Sequence, residues 1–218
     1  MPGFFVLGRS LRNRGFMALY PIFLRLGGRP VLLVGGGRVA TSKLRALLDA
    51  DARVTVVAPE IADEIVAAPV EIRRRPFEAR DLDGIWLVVA AAPRGVNRQV
   101  AAEAHARGIF VNAVDDVESA SAYAGAVLRH AGVTVAISTD GEAPALAGLM
   151  REALETVLPD DLEAWVASAR ESRVRWREGG VPMEQRRPLL LEALVGLYQR
   201  RDGRLDETSQ QPDLVKRD

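Results

Sequence analysis

From Pro30 onward, short runs of aliphatic residues alternate with longer segments whose apolar positions recur at helical spacing. The apolar runs are Val31–Val34, Val54–Ala58, Val70–Ile72, Ile85–Ala91 and Ile109–Val111. They are too short for amphipathic helices, and continuous rather than alternating apolarity is what a strand covered on both faces requires. Val39–Ala50, Ile61–Ala67 and Val96–Arg107 have helix-forming composition and lie among them. This alternation predicts an α/β chain with a Rossmann-like parallel sheet over residues 17–116.

The pattern then changes. Tyr123–Leu128 and Val133–Ser138 read as two strands joined at His130-Ala131-Gly132 with no helix between them. After Pro144, which suits the first turn of a helix, Leu146, Leu149, Met150, Ala153, Leu154, Val157 and Leu158 fall on one helical face. Two more helical stretches, 160–178 and 183–201, are separated by Gly179-Gly180-Val181-Pro182. The residues from Asp202 are polar and read as a loose tail.

Composition narrows the function classes. The 29 basic and 29 acidic side chains balance, so no global charge recommends nucleic acid or a membrane as partner. The absence of cysteine excludes disulfides, thiolate metal sites and a cysteine nucleophile, and suits a cytoplasmic protein. The apolar stretch Gly15–Leu24 is too short to span a bilayer and contains Pro21. Residues 1–16 read as a disordered tail, or as sequence upstream of a true start at Met17.

Candidate chemistry begins at Gly35-Gly36-Gly37-Arg38-Val39-Ala40, which follows a predicted strand and opens a predicted helix. In such a turn Gly35 permits the tight reversal and Gly37 lets the backbone approach a pyrophosphate. The free amides of the helix N-terminus then face the phosphates. The second strand ends at Ala58 where an acid usually holds the adenine ribose; Pro59 and Glu60 follow. Glu60 either reaches the ribose hydroxyls or sits in the first turn of the next helix. No arginine stands at that strand end, which favours NAD over NADP.

Common chemistries on this fold can be subtracted. Tyr20, Tyr123 and Tyr198 are followed four residues on by Leu24, Val127 and Asp202, so no Tyr-Lys pair exists. His105 falls within a helix and His130 in the hairpin turn, and neither suits a catalytic base. What remains is Val111-Asn112-Ala113-Val114-Asp115-Asp116, at the carboxyl end of the last parallel strand, where open sheets bind ligands. Two adjacent acids there either end a strand or serve chemistry.

Taken with Tyr20-Pro21-Ile22-Phe23-Leu24, Lys43, Val54–Pro59 and Val135-Ala136-Ile137-Ser138-Thr139, these segments carry a resemblance. In order and spacing they resemble the precorrin-2 dehydrogenase/sirohydrochlorin ferrochelatase module of siroheme synthase. The resemblance covers about residues 17–200 and does not include the methyltransferase half that some members carry. It implies a homodimer with an NAD-binding domain at 17–116, a small β-containing dimerisation segment at 117–150 and a C-terminal helical domain at 151–201, with 202–218 as a tail.

The resemblance further implies that Gly35, Gly36, Gly37, Arg38, Val39, Pro59 and Glu60 contact NAD and that Asp115 is the catalytic base. Asn112, Ser138 and Thr139 would contact the tetrapyrrole. The implied reaction converts precorrin-2 to sirohydrochlorin, followed by insertion of ferrous iron, a substrate for which no resident metal ligands are needed. Arg170, Arg173, Arg175 and Arg177 could suit a polycarboxylate, but Glu163, Glu171 and Glu178 among them read as a solvated helix face.

Two departures from the family pattern bear on the chelatase step. Ala122-Tyr123-Ala124-Gly125 stands where members show Phe-x-x-Pro, and Ser138-Thr139-Asp140-Gly141-Glu142-Ala143-Pro144 stands where they show S-T-G-G-x-S-P. Two other readings compete: dehydrogenation alone with a separate chelatase, and a non-catalytic NAD-sensing module.

Overall fold

The computed structural model describes residues 19–208, with backbone alone from 198 on. The expected tail at 1–16 and the last ten residues of the chain, 209–218, lie outside the described residues.

Five parallel strands form the main sheet: β1 Pro30–Val34, β2 Arg53–Val57, β3 Glu71–Arg73, β4 Leu87–Ala90 and β5 Phe110–Ala113. Their spatial order is β3-β2-β1-β4-β5. Helices α1 Arg38–Asp49 and α2 Asp63–Val66 belong to one face and α3 Arg94–Ala106 to the other. Alternate strand residues therefore enter two separate cores. Val31, Leu33, Val54, Val56, Leu87 and Val89 pack with Ala40, Leu44, Leu47 and Ile65. Leu32, Val34, Val57, Val88, Ala90 and Val111 pack with Val100, Ala101 and Ala104. Burial on both faces is why β1 and β4 read as unbroken apolar runs.

The edge strand β3 is fastened by charge. A short 3₁₀ turn at Ala79–Leu82 brings the fully buried Asp81 carboxylate to Arg73 (2.8 Å) and Arg75 (2.8 Å), while the Glu78 amide donates to it at 2.9 Å. Burial works against the ionised form, but Arg75, the Glu78 amide and Arg73 outweigh it and hold the pKa at about 2.

The chain divides into two compact units, the first comprising the described residues to Ala124 together with Asp140–Ala143. The second contains a hairpin, β6 Ala126–His130 and β7 Val133–Ile137, with helices α4 Pro144–Val157, α5 Leu162–Glu178 and α6 Met183–Thr208. Ala131 (φ 49°) and Gly132 (φ 80°) make the two-residue turn, both left-handed as the twist of a tight hairpin demands. The hairpin and the C-terminal helices thus share one unit, and α6 is helical through Thr208, beyond the expected end at 201. No helix among the described residues is long and apolar enough to cross a membrane.

Candidate NAD site

A sheet ordered 3-2-1-4-5 reverses its direction of winding between β1 and β4, and the crevice above that reversal is where such folds bind ligands. A cavity of about 580 Å³ lies there. It is lined by Val34–Gly37 after β1, Val57–Glu60 after β2, Ala91–Pro93 after β4, Val96 and Gln99 of α3, and Pro76 and Phe77 after β3.

The three glycines have different jobs. At Gly35 (φ 128°) a Cβ would fall on the Ala91 carbonyl. At Gly36 it would fall on the Glu60 carbonyl, because the Gly36 carbonyl accepts from the Ala62 amide (2.8 Å) and pins the loop after β2 against the glycine turn. Gly37 alone has open space where a Cβ would stand. It is the N-cap of α1, which has neither a side-chain cap bond nor an acid in its first turn. That uncapped terminus opens beside the cavity, so the residues present fit a dinucleotide pyrophosphate. Pro59 and Glu60 are exposed and line the cavity, and Glu60 precedes α2 rather than entering its first turn. Arg38 is exposed but lines neither this cavity nor the next.

A second cavity of about 260 Å³ shares Ala91 and Ala92 with the first and adds Val39, Arg94, Asn97, Val114 and Asp115. Asp115 is exposed at its wall and sits in the left-handed region (φ 57°). Its neighbour Asp116 is buried, accepts from the Ser119 hydroxyl (3.0 Å) and lies near Arg98 (3.6 Å) and Arg94 (3.9 Å). The adjacent acids thus part: one faces a cavity and one is internal.

The structure brings Gly35–Gly37, Val39, Pro59, Glu60 and Asp115 to two cavities that share Ala91 and Ala92. Asn112 lines neither, and its amide donates to the Ala122 carbonyl (2.9 Å), tying β5 to the segment after it. Ser138 and Thr139 follow β7 in the second unit. Pro76, Phe77, Asn97 and Arg94 escaped sequence reasoning. Pro76 and Phe77 reach the site only because β3 lies next to β2, and no local motif marks them.

Residues 22–126 match the family described as putative NAD(P)-binding. The chain is 44% identical to siroheme synthase 1 of Aeromonas salmonicida (strain A449) over 176 residues, 78% of this chain and 38% of the relative. It is 40% identical to a siroheme synthase of Photorhabdus laumondii over 212 residues, 91% of this chain and 45% of the relative. The chain therefore spans less than half the length of these relatives. In fold it matches SirC, a precorrin-2 dehydrogenase, with a TM-score of 0.63 at 28% identity, covering 80% of this chain and 88% of that one. Over the aligned residues this chain is similar to part of the siroheme synthases, and it shares the fold of SirC.

Proposed function

We propose that the chain is an NAD-dependent dehydrogenase that oxidises precorrin-2 to sirohydrochlorin. The observation that carries this reading is the exposed Asp115 carboxylate in a cavity that shares Ala91 and Ala92 with the cavity beside the glycine turn. When bound, NAD⁺ supplies the acceptor for two electrons and a proton as hydride. The amides at the start of α1 bind the pyrophosphate, Glu60 accepts from the ribose hydroxyls, and Asp115 takes the proton that the reduced macrocycle releases. Relatives named siroheme synthase and the fold match to a named precorrin-2 dehydrogenase support the substrate.

Insertion of ferrous iron into sirohydrochlorin is the second part of the proposal. The ring supplies the nitrogen ligands, and Asp115 serves as acceptor for the pyrrole protons. The proposal includes a cytoplasmic homodimer. Leu146, Leu149, Met150, Leu154 and Val157 of α4 are 37–77% exposed in one chain, an apolar face of the kind a second copy covers.

An anaerobic absorbance time course with precorrin-2 and NAD⁺, then ferrous iron, tests the chemistry, and sedimentation tests the dimer. NADH formation that Asp115→Asn lowers by about 10²-fold or more, with NAD affinity retained, is the expected result. Turnover that survives the substitution contradicts the assignment of the base. No NADH despite bound NAD would favour a sensing module, and a first phase without iron insertion above the uncatalysed rate would confine the chain to dehydrogenation.

A further inference from the structure

Asn97 is only 3% exposed, yet it lines the smaller cavity from the first turns of α3. Its Oδ1 accepts from the Ala92 amide (3.0 Å) and its Nδ2 donates to the Val114 carbonyl (3.2 Å). The amide cannot be turned over without breaking both bonds, since one partner is an N–H and the other a carbonyl. Those partners sit at the exits of β4 and β5. Ala92 belongs to the floor that the two cavities share, and Val114 immediately precedes Asp115. The Val114 amide is also held, donating to the Ala90 carbonyl at 2.9 Å. Both backbone polar groups of Val114, the residue before the left-handed Asp115, are therefore held, its amide by the Ala90 carbonyl and its carbonyl by Asn97.

We infer that Asn97 is a positioning residue: it clamps the end of β5 to the cavity floor and so sets where the Asp115 carboxylate stands relative to a ligand lying over Ala91 and Ala92. The inference rests on the reading of Asp115 as the base. Arg94, Arg98 and Asp116 also surround this corner, but Asp116 takes its close hydrogen bond from Ser119, and none of the three holds the Val114 carbonyl.

The test uses the full chain and two substitutions. Asn97→Ala removes both bonds, whereas Asn97→Asp keeps the acceptor for Ala92 and loses the donor to Val114. Misplacing a reacting group by about 1 Å costs up to about 10²-fold in rate. Both variants should therefore lose about 10- to 100-fold in kcat for precorrin-2 oxidation, with KM for NAD⁺ within about threefold of wild type. Amide hydrogen exchange at Ala92 should accelerate in Asn97→Ala and stay slow in Asn97→Asp. Wild-type kcat in both variants, or a KM for NAD⁺ that rises in step with the loss of kcat, would overturn the inference. Should the wild type not oxidise precorrin-2, the functional reading fails by itself. Amide NMR then decides the clamp: Asp115 resonances displaced in Asn97→Ala with those of Gly35–Gly37 unmoved support it, and unmoved Asp115 resonances overturn it.

Discussion

Replacing Gly37 by serine should separate the cofactor site from the stability of the fold. Gly37 has extended backbone (φ −93°, ψ −169°) that any residue adopts, and a Cβ there meets no protein atom within 4 Å. A serine hydroxyl at this N-cap can accept from the amides of the first turn of α1, a gain over glycine of a few tenths of a kcal/mol. Removing glycine's freedom from the unfolded chain adds about 0.4–1 kcal/mol. The ligand-free variant should be more stable by about 1 kcal/mol, roughly 2–4 °C in Tm for a chain of this length. The same side chain stands where a pyrophosphate must approach those amides, so NAD affinity should fall at least about tenfold, or about 1.4 kcal/mol. Gly36→Ala supplies the contrast. Its Cβ would enter the backbone of Glu60 and Ile61, and such overpacking costs about 1–3 kcal/mol or more. Urea unfolding of the free proteins and calorimetric titration with NAD⁺ measure both effects. A Gly37→Ser protein that binds NAD as tightly as wild type would refute the placement of the phosphates, and one that unfolds more readily would refute the capping argument.

Asp81 makes acid stability specific to one residue. Its pKa is lowered to about 2 in the folded state, so its contribution is full above the ordinary aspartate pKa and is lost as pH falls toward 2. At about 1.4 kcal/mol per pKa unit this is roughly 2 kcal/mol, and Asp81→Asn should flatten the fall of the urea midpoint between about pH 5 and 2. Asn112→Ala should cost about 1 kcal/mol through the lost bond to Ala122 while leaving KM for the tetrapyrrole within about twofold; a large rise in KM would return Asn112 to the substrate site. Asp116→Asn should lower stability by about 1–3 kcal/mol yet retain dehydrogenation, and an activity loss matching that of Asp115→Asn would show that the two acids work as a pair.

Strands β1 and β4 could be read from the sequence because two cores recruit alternate residues of each, so apolarity never breaks in them. Their ends could not, because hydrogen bonds set them. Ile85 belongs to a turn closed by its amide on the Leu82 carbonyl, and β4 begins only at Leu87. The short α2 starts at Asp63 because the preceding residues are pinned to Gly36. The β3 strand takes in Arg73, a residue no apolar period selects, because the buried Asp81 accepts its charge. In the second unit β6 begins three residues later than expected, at Ala126 rather than Tyr123: the Tyr123 hydroxyl donates back to the Val117 carbonyl (3.0 Å), and Gly125 lies against the Ile137 carbonyl so closely that a Cβ would strike it. That close approach gives a physical reason for glycine where the family pattern has proline.

The candidate site was legible to the extent that backbone geometry writes itself into residue type. Glycine at 35 and 36 is demanded by carbonyls of neighbouring loops, and glycine at 37 is demanded by no protein atom, as the proposed pyrophosphate placement expects. Aspartate gives no such reading, because the residue tolerates the left-handed region and serves equally in turns, ion pairs and catalysis. Local sequence does not separate Asp115 from Asp116, and only the family resemblance singles out Asp115. The left-handed turn at Asp115 ends the regular alternation of β5, so the first carboxylate is left at the cavity wall while the second is drawn inward to Ser119. The same tolerance applies to Asp140, which stands where the family motif has glycine and has a left-handed φ of 54°. Aspartate tolerates the left-handed conformation that glycine adopts freely, so what distinguishes this residue from the motif's glycine is its carboxylate. Any effect of this position on a polycarboxylate substrate should therefore be electrostatic and should weaken as ionic strength rises.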